Sequence, residues 1–290
     1  MSVAEENKPL VSVLMTAYNR EKYIAEAIES VLASAYTNFE LIVVDDGSED
    51  ATVKIAQNYL LKDNRIQLHI NEKNLGDYPN RNFAVTLARG KYIMFCDSDD
   101  EFYPDSISYC VGAMEDNARV SFGVYYAGNS AEPFVLSSVE AIKRHFFDDP
   151  FLVMGPGGTI TKRDFFSEIN GYPEKYGPAN DMYFNLKVAC QADILLLPNL
   201  FLHYREHEAQ EKNNLYDYIH FNYSYMKDAL KDLPLPLSSK QIQYLQKKNY
   251  RRFSVNLFND FRKKKDWSSV KFLWVKAGFG IRQLFQGIFH

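Results

Sequence analysis

An α/β fold on a mostly parallel central sheet, flanked by helices, is predicted by three features of this 290-residue chain. Short apolar β-forming runs alternate with helical patterns as far as Cys96, the order that yields parallel strands with right-handed crossovers. Two of those runs, Leu41–Val44 and Tyr92–Cys96, end directly in acidic clusters, Asp45-Asp46 and Asp97-Ser98-Asp99-Asp100. From about Tyr216 onward the pattern is helical, which adds a C-terminal helical extension.

Val11–Met15 is the first strand, and Thr16–Arg20 turns into a helix near Glu21–Ala33, where Ile24, Ala27, Ile28, Val31 and Leu32 share a face. After the second strand, Asp50 caps a helix to about Leu61. Arg65–Ile70 is a third strand, Pro79–Ala88 a helix, and Gly90 ends that helix in the manner of a C-cap. Tyr92–Cys96 is too short for a helix and reads as a fully buried strand. Pro104-Asp105 makes a helix start, and the alternative reading of the acidic cluster is a solvated turn before it. Ser121–Ala127 is a strand, and Ser137-Ser138 opens a helix to Phe147. Gly155-Pro156-Gly157-Gly158 leads into Thr159–Thr161, Asn180-Asp181 opens a helix to Cys190, and Ile194–Leu197 returns to strand. Pro234 and Pro236 separate the last helices. The expected division is a loosely ordered 1–8, a catalytic domain over 9–210 and an extension over 211–290.

Hydrophobic residues at 46% and charged residues at 24% support a sizeable core. Cys96, Cys110 and Cys190 form no CxxC pair and read as buried thiols of a reducing compartment. Met1–Lys8 is acidic and polar, unlike a signal peptide, and no apolar run approaches the roughly 18 residues of a spanning helix. A cytoplasmic protein is expected. Charge is asymmetric: Gln241–His290 holds eleven Lys/Arg and two Asp.

Ligands of open α/β sheets sit beyond the carboxyl ends of the strands, where crowded carboxylates repel one another unless a cation or donors accept them. Such oxygens suit Mg²⁺ or Mn²⁺ shared with substrate phosphates. A nucleotide can lie across both acidic tips, bordered by Thr16, Tyr18 and Asn19, with Tyr18 as a stacking face and Arg81 as a phosphate fork. The chain lacks G-x-G-x-x-G after its first strand and G-x-x-x-x-G-K-[ST] anywhere, which argues against a dinucleotide dehydrogenase and a P-loop NTPase.

Ser12–Asn19, Val43–Ser48, Asn74-Leu75-Gly76, Arg81-Asn82 and Asp97-Ser98-Asp99 together resemble family-2 glycosyltransferases from about Pro9 to His207. The resemblance implies a GT-A fold, a nucleotide-diphospho-sugar donor (a UDP-sugar by family habit) and inverting transfer to a saccharide or lipid-linked acceptor in cell-surface polysaccharide synthesis. It implies that Thr16, Tyr18 and Asp45, with help from Asp46, line the base and ribose pocket, beside Asn19 and Ser98. Arg81 then approaches the diphosphate, Asp97 the ribose, sugar or metal, and Asp99 ligates the metal. Gly157-Gly158 and Gly171-Tyr172 resemble the acceptor-side segment. The resemblance makes Asp181 the catalytic base, although Asn180 replaces the usual Glu, and Asp181 is expected to keep an ordinary carboxylate pKa of about 4. His203–His207 resembles a Tyr-Arg-x-His element, from which Arg205 or His207 closes over the diphosphate, or His207 joins the metal.

The basic, aromatic C-terminus is expected either to rest on the inner face of an anionic membrane or to pack on the catalytic domain; nothing accompanying it resembles a nucleic-acid module. Two other readings stand beside the transferase. A sugar-phosphate nucleotidyltransferase is disfavoured because Thr16–Arg20 has no glycine. A degenerate scaffold is disfavoured by the retention of Asp45, Asp97, Asp99 and Asp181.

Overall fold

The computed structural model describes residues 8–128, 130–206 and 215–288; the expectations for residues 1–7 and His207 therefore lie outside the described residues. The chain runs β1 (Val11–Ala17), α1 (Ile24–Leu32), β2 (Phe39–Asp45), α2 (Thr52–Leu60), β3 (Ile66–Ile70), α3 (Asp77–Leu87) and β4 (Tyr92–Phe95). The acidic tip continues into β5 (Glu101–Phe102), α4 (Ser106–Asp116), β6 (Phe122–Tyr125), β7 (Phe134–Leu136) and α5 (Ser138–Phe147). Then follow β8 (Thr159–Lys162), α6 (Arg163–Glu168), α7 (Asn180–Ala189), β9 (Ile194–Leu197) and β10 (Leu202–His203). Four helices close the chain: α8 (Leu215–Asp232), α9 (Ser239–Lys264), α10 (Trp267–Lys276) and α11 (Ile281–Ile288).

Eight strands form one sheet in the order β3-β2-β1-β4-β8-β6-β9-β7. The first four pair in parallel. β8 is antiparallel to both β4 and β6, β6 and β9 are parallel, and β7 closes the edge antiparallel to β9. β5 and β10 make a separate antiparallel pair.

Every residue of β1 and β2 is buried, and the period-two alternation of a strand sorts them onto two cores. Val13, Met15, Leu41 and Val43 pack with Ile24, Ile28 and Val31 of α1. Leu14, Ile42 and Val44 face Ala84 and Val85 of α3. Tyr225, Ala229 and Leu230 of α8 join that second core alongside Tyr176 and Phe184. A smaller cluster of Tyr223, Phe253, Leu257, Leu273 and Phe279 binds α8, α9 and α10 together.

Gly90 departs from its expected role. α3 ends at Leu87 with Ala88 already extended, and a Cβ on Gly90 would lie 2.6 Å from the Ser12 amide nitrogen. Glycine is needed there because the backbone crosses β1 closely, not to cap the helix.

Candidate active site

A cleft of about 580 Å³ opens beyond the carboxyl ends of β1, β2 and β4. Its walls include Thr16, Tyr18, Arg20, Asp46, Asp77, Arg81, Asp97, Ser98, Asp99 and Asp181. Parallel strands bring their C-terminal tips to one sheet edge, so segments far apart in sequence converge there. Thr16 and Ser98 are buried in the wall, whereas Tyr18 is 45% exposed, leaving its ring available to a planar ligand.

The β2 tip is mostly committed to its own loops. The Gly47 and Ser48 amides donate to Asp45 Oδ2 at 3.1 and 2.8 Å, while Asp45 Oδ1 is buried without a hydrogen-bond partner. Asp46 accepts from the Leu75 and Gly76 amides, each at 2.9 Å, and from Asn71 Nδ2 at 2.8 Å. It thereby anchors the loop that enters α3, where Gly76 has a φ of 91° that favours glycine. Asn19, also in the left-handed region at φ 53°, is tied to the Ser48 and Glu49 turn: its amide donates to Ser48 Oγ at 2.8 Å and its Oδ1 accepts from the Glu49 amide at 2.9 Å.

At the β4 tip each carboxylate has a partner. Arg81 Nη1 lies 2.6 Å from Asp97 Oδ1, and its Nε lies 2.8 Å from Asp77 Oδ1 one helical turn earlier. Burial works against the Arg81 charge, but these two carboxylates hold it firmly protonated. Asp99 Oδ2 is 3.2 Å from Arg20 Nε. Asp100 turns out of the cleft and accepts from the Arg205 amide at 3.1 Å; burial and then the Asp97 charge push its carboxyl up to about 7.

Asp181 also lines the cleft, from the first turn of α7, and Gly155, Pro156 and Pro178 are further lining residues. Its Oδ1 accepts from the Met182 amide at 2.6 Å. Burial raises its carboxyl to about 7, correcting the ordinary value expected from sequence: a desolvated carboxylate disfavours its charged form. Asn180 at the neighbouring position is structural, its Oδ1 accepting from the Tyr176 amide at 2.9 Å.

The Gly171-Tyr172 segment is held by Asn82, which exchanges two 2.9 Å hydrogen bonds with the Tyr172 backbone. A Cβ on Gly171, at φ 50°, would meet Asn82 Oδ1 at 2.6 Å.

The structure therefore gathers Thr16, Tyr18, Asp46, Arg81, Asp97, Ser98, Asp99 and Asp181 around one cleft. Arg205 is not among the lining residues: its guanidinium pairs with Glu26 at 2.6 Å and with Glu101. The expected closure of Arg205 over the diphosphate is thus not a contact of this structure, in which Glu26 of α1 and Glu101 of β5 hold its guanidinium. Sequence reasoning missed Arg20, Asp77, Tyr204 and Tyr218, all of which line the cleft. Arg20 directly follows the Tyr18-Asn19 motif, and Asp77 stands four residues before Arg81 on a helix, a spacing that signals an ion pair. Tyr218, on α8, carried no signal.

The chain matches the glycosyl transferase family 2 profile over residues 12–169, more than half its length. It is 37% identical over 161 residues to an uncharacterized glycosyltransferase of Methanocaldococcus jannaschii, covering 52% of this chain and 56% of that protein. It is 42% identical over 119 residues to TuaG of Bacillus subtilis, a glycosyltransferase whose name assigns it provisionally to teichuronic acid biosynthesis, covering 41% of this chain and 47% of TuaG. The chain thus spans about half the length of these curated relatives. In fold it resembles S. aureus TarS 1-349, solved in complex with UDP-GlcNAc, with a TM-score of 0.70 at 21% identity over 92% of this chain and 79% of that one. A mannosyltransferase from Pyrobaculum calidifontis, solved in complex with GDP-Man and Mn²⁺, superposes with a TM-score of 0.66 at 16% identity over 98% of this chain and 84% of that one.

Proposed function

The chain belongs to glycosyl transferase family 2, with the GT-A fold of its structural neighbours, and from that premise we propose an inverting, metal-dependent glycosyltransferase. Its donor is a nucleotide-diphospho-sugar, a UDP-sugar in this reading, and its acceptor a saccharide or lipid-linked saccharide in cell-surface polysaccharide assembly. The observation that carries the reading is one cleft lined both by the paired carboxylates of the β4 tip and by the buried, high-pKa carboxylate of Asp181. The UDP-GlcNAc complex of TarS and the name of TuaG support the donor class and the polysaccharide setting.

The charge balance of the cleft bears on the metal. Asp46, Asp77, Asp97, Asp99 and Asp181 line it against Arg20 and Arg81, so an anionic diphosphate needs a further cation to enter. Among the described residues no group of three or more His, Cys, Asp or Glu side chains is placed to hold a metal ion by itself. Two cleft-facing carboxylates, Asp97 and Asp99, fit Mg²⁺ or Mn²⁺, which take one or two carboxylates and complete their shell with water and phosphate. When bound, the ion neutralises charge on the departing diphosphate.

In this mechanism Tyr18 stacks on the base, while Asp45 and Asn19, which are not among the residues lining the cleft, hold the Gly47–Glu49 turn behind it. Arg81 fixes the positions of Asp97 and Asp77 and lends its charge to the leaving group. The acceptor oxygen attacks the anomeric carbon from the face opposite the diphosphate. The C–O bond to the β-phosphate oxygen breaks with its electron pair, and Asp181 takes the acceptor's hydroxyl proton. A carboxylate titrating near 7 is a better base than an ordinary Asp, at the cost of being part-protonated at neutral pH.

Thermal-shift screening of UDP-, GDP- and dTDP-sugars with and without Mn²⁺ tests this reading. A true donor at about 100 times its Kd adds about 2.7 kcal/mol, so one nucleotide-sugar should raise the melting temperature, and more so with Mn²⁺. No shift with any of them under either condition contradicts it.

A further inference from the structure

We propose that the solvent face of α9 and α10 is a docking surface for an anionic lipid bilayer. Along α9, Tyr244, Lys248, Arg251, Val255, Phe258 and Arg262 recur at intervals of four and three residues, which places them on one helical face about 27 Å long. All six are exposed, with Phe258 at 64% and Val255 at 48%. The opposite face, Leu245, Asn249, Phe253 and Leu257, is buried, so the stripe is held outward by packing. On α10, Trp267, Lys271 and Val275 repeat the pattern at four-residue spacing, and Trp267 and Val275 are 69% and 67% exposed.

Charge selects the occupant. The only two acidic residues after Gln241 are Asp260 and Asp266; Asp260 is buried and paired with Lys264 at 2.7 Å, and Asp266 caps α10 through the Ser268 amide at 2.8 Å. A second copy docked stripe on stripe about a two-fold axis would set Lys248, Arg251 and Arg262 against like charges. A soluble polyanion would be attracted by the basic residues but leave Val255, Phe258, Trp267 and Val275 in water. A bilayer with acidic headgroups accepts both: basic residues near its surface are attracted electrostatically while interleaved apolar side chains enter the headgroup region. No helix among the described residues is long and apolar enough to cross the membrane, so the attachment is interfacial. The surface is coupled to the cleft through α8, which contributes Tyr218 to the cleft wall and packs Tyr223 on Phe253 of α9 at 4.5 Å between ring centroids.

Co-sedimentation of the full chain with vesicles tests this without nucleotide or acceptor, so its result is separable from the transferase reading. Binding is expected to mixed phosphatidylcholine–phosphatidylglycerol vesicles, to weaken in high salt, and to be absent with phosphatidylcholine alone. Val255→Glu/Phe258→Glu and Lys248→Glu/Arg262→Glu, all at exposed positions, should each lower vesicle affinity about tenfold or more while keeping the wild-type melting curve. Should a pair fail to fold, the other pair carries the comparison. Absence of binding to the acidic vesicles, equal binding to neutral ones, retention by soluble heparin without vesicle binding, or wild-type affinity in a folded variant would overturn the proposal.

Discussion

Arg20 Nε sits 3.2 Å from Asp99 Oδ2, so the carboxylate proposed to hold the metal is already paired with a cation from the β1 loop. A divalent ion binding without nucleotide has to displace that guanidinium. Partly exposed pairs contribute about 0.2–1 kcal/mol, so Arg20→Ala should raise the Mn²⁺ affinity of the nucleotide-free protein by up to about fivefold. Titration of the free-Mn²⁺ electron-resonance signal reads this directly; unchanged or weaker affinity means that Arg20 does not compete for the site.

Arg81 plays a different part, because it is buried between Asp77 and Asp97. Removing one member of a buried pair leaves uncompensated charge and costs about 3–5 kcal/mol; the partial exposure of the two carboxylates, 35% and 25%, brings the expected loss for Arg81→Met to about 3 kcal/mol. Urea unfolding measures it, and a midpoint equal to wild type would show that the pairs do not hold the cleft wall.

His145 offers a pH test of the second core. Its Nδ1 accepts from the Leu152 amide at 3.2 Å, which requires the neutral ring, and burial lowers its pKa to about 4. An unfolded histidine titrates at about 6.5, so this contribution to stability is complete above that value and lost as pH falls towards 4. His145→Gln should flatten stability between those limits. An unchanged acid limb would remove His145 from the account.

Asp181 should set the pH dependence of turnover. Only its ionised form accepts a proton, and its carboxyl titrates near 7, so kcat/KM should rise about tenfold per pH unit below 7 and level above it. The same shift has a stability consequence of opposite sense. Folding favours the protonated form, so the Asp181 contribution is complete below the unfolded value of about 3.9 and lost as pH rises through 7. Asp181→Asn should therefore melt higher than wild type at pH 8, by a margin that shrinks towards pH 4. A flat rate profile together with a pH-independent margin would contradict the shift.

The sheet's first half was legible because β1, β2 and β4 are short, largely apolar runs whose alternation with helices admits few topologies. β7 and β10 were not: three and two residues carry no period, and each exists through pairing with a distant strand. The cleft residues were named from motifs, but a motif does not reveal its neighbours' hydrogen bonds. The Asp46 carboxylate is spent on the Leu75 and Gly76 amides, and Arg205 is drawn to Glu26, far away in sequence. The Asp181 shift was equally hidden, since it comes from burial by segments that only the folded chain assembles.

Transfer by Asp181→Asn, measured alongside its affinity for the nucleotide-diphospho-sugar, bears most directly on the division of labour across the cleft. Donor affinity within about twofold of wild type, with turnover reduced about a hundredfold or more, is the expected result. Full turnover with the true acceptor would contradict it and send the base to another residue.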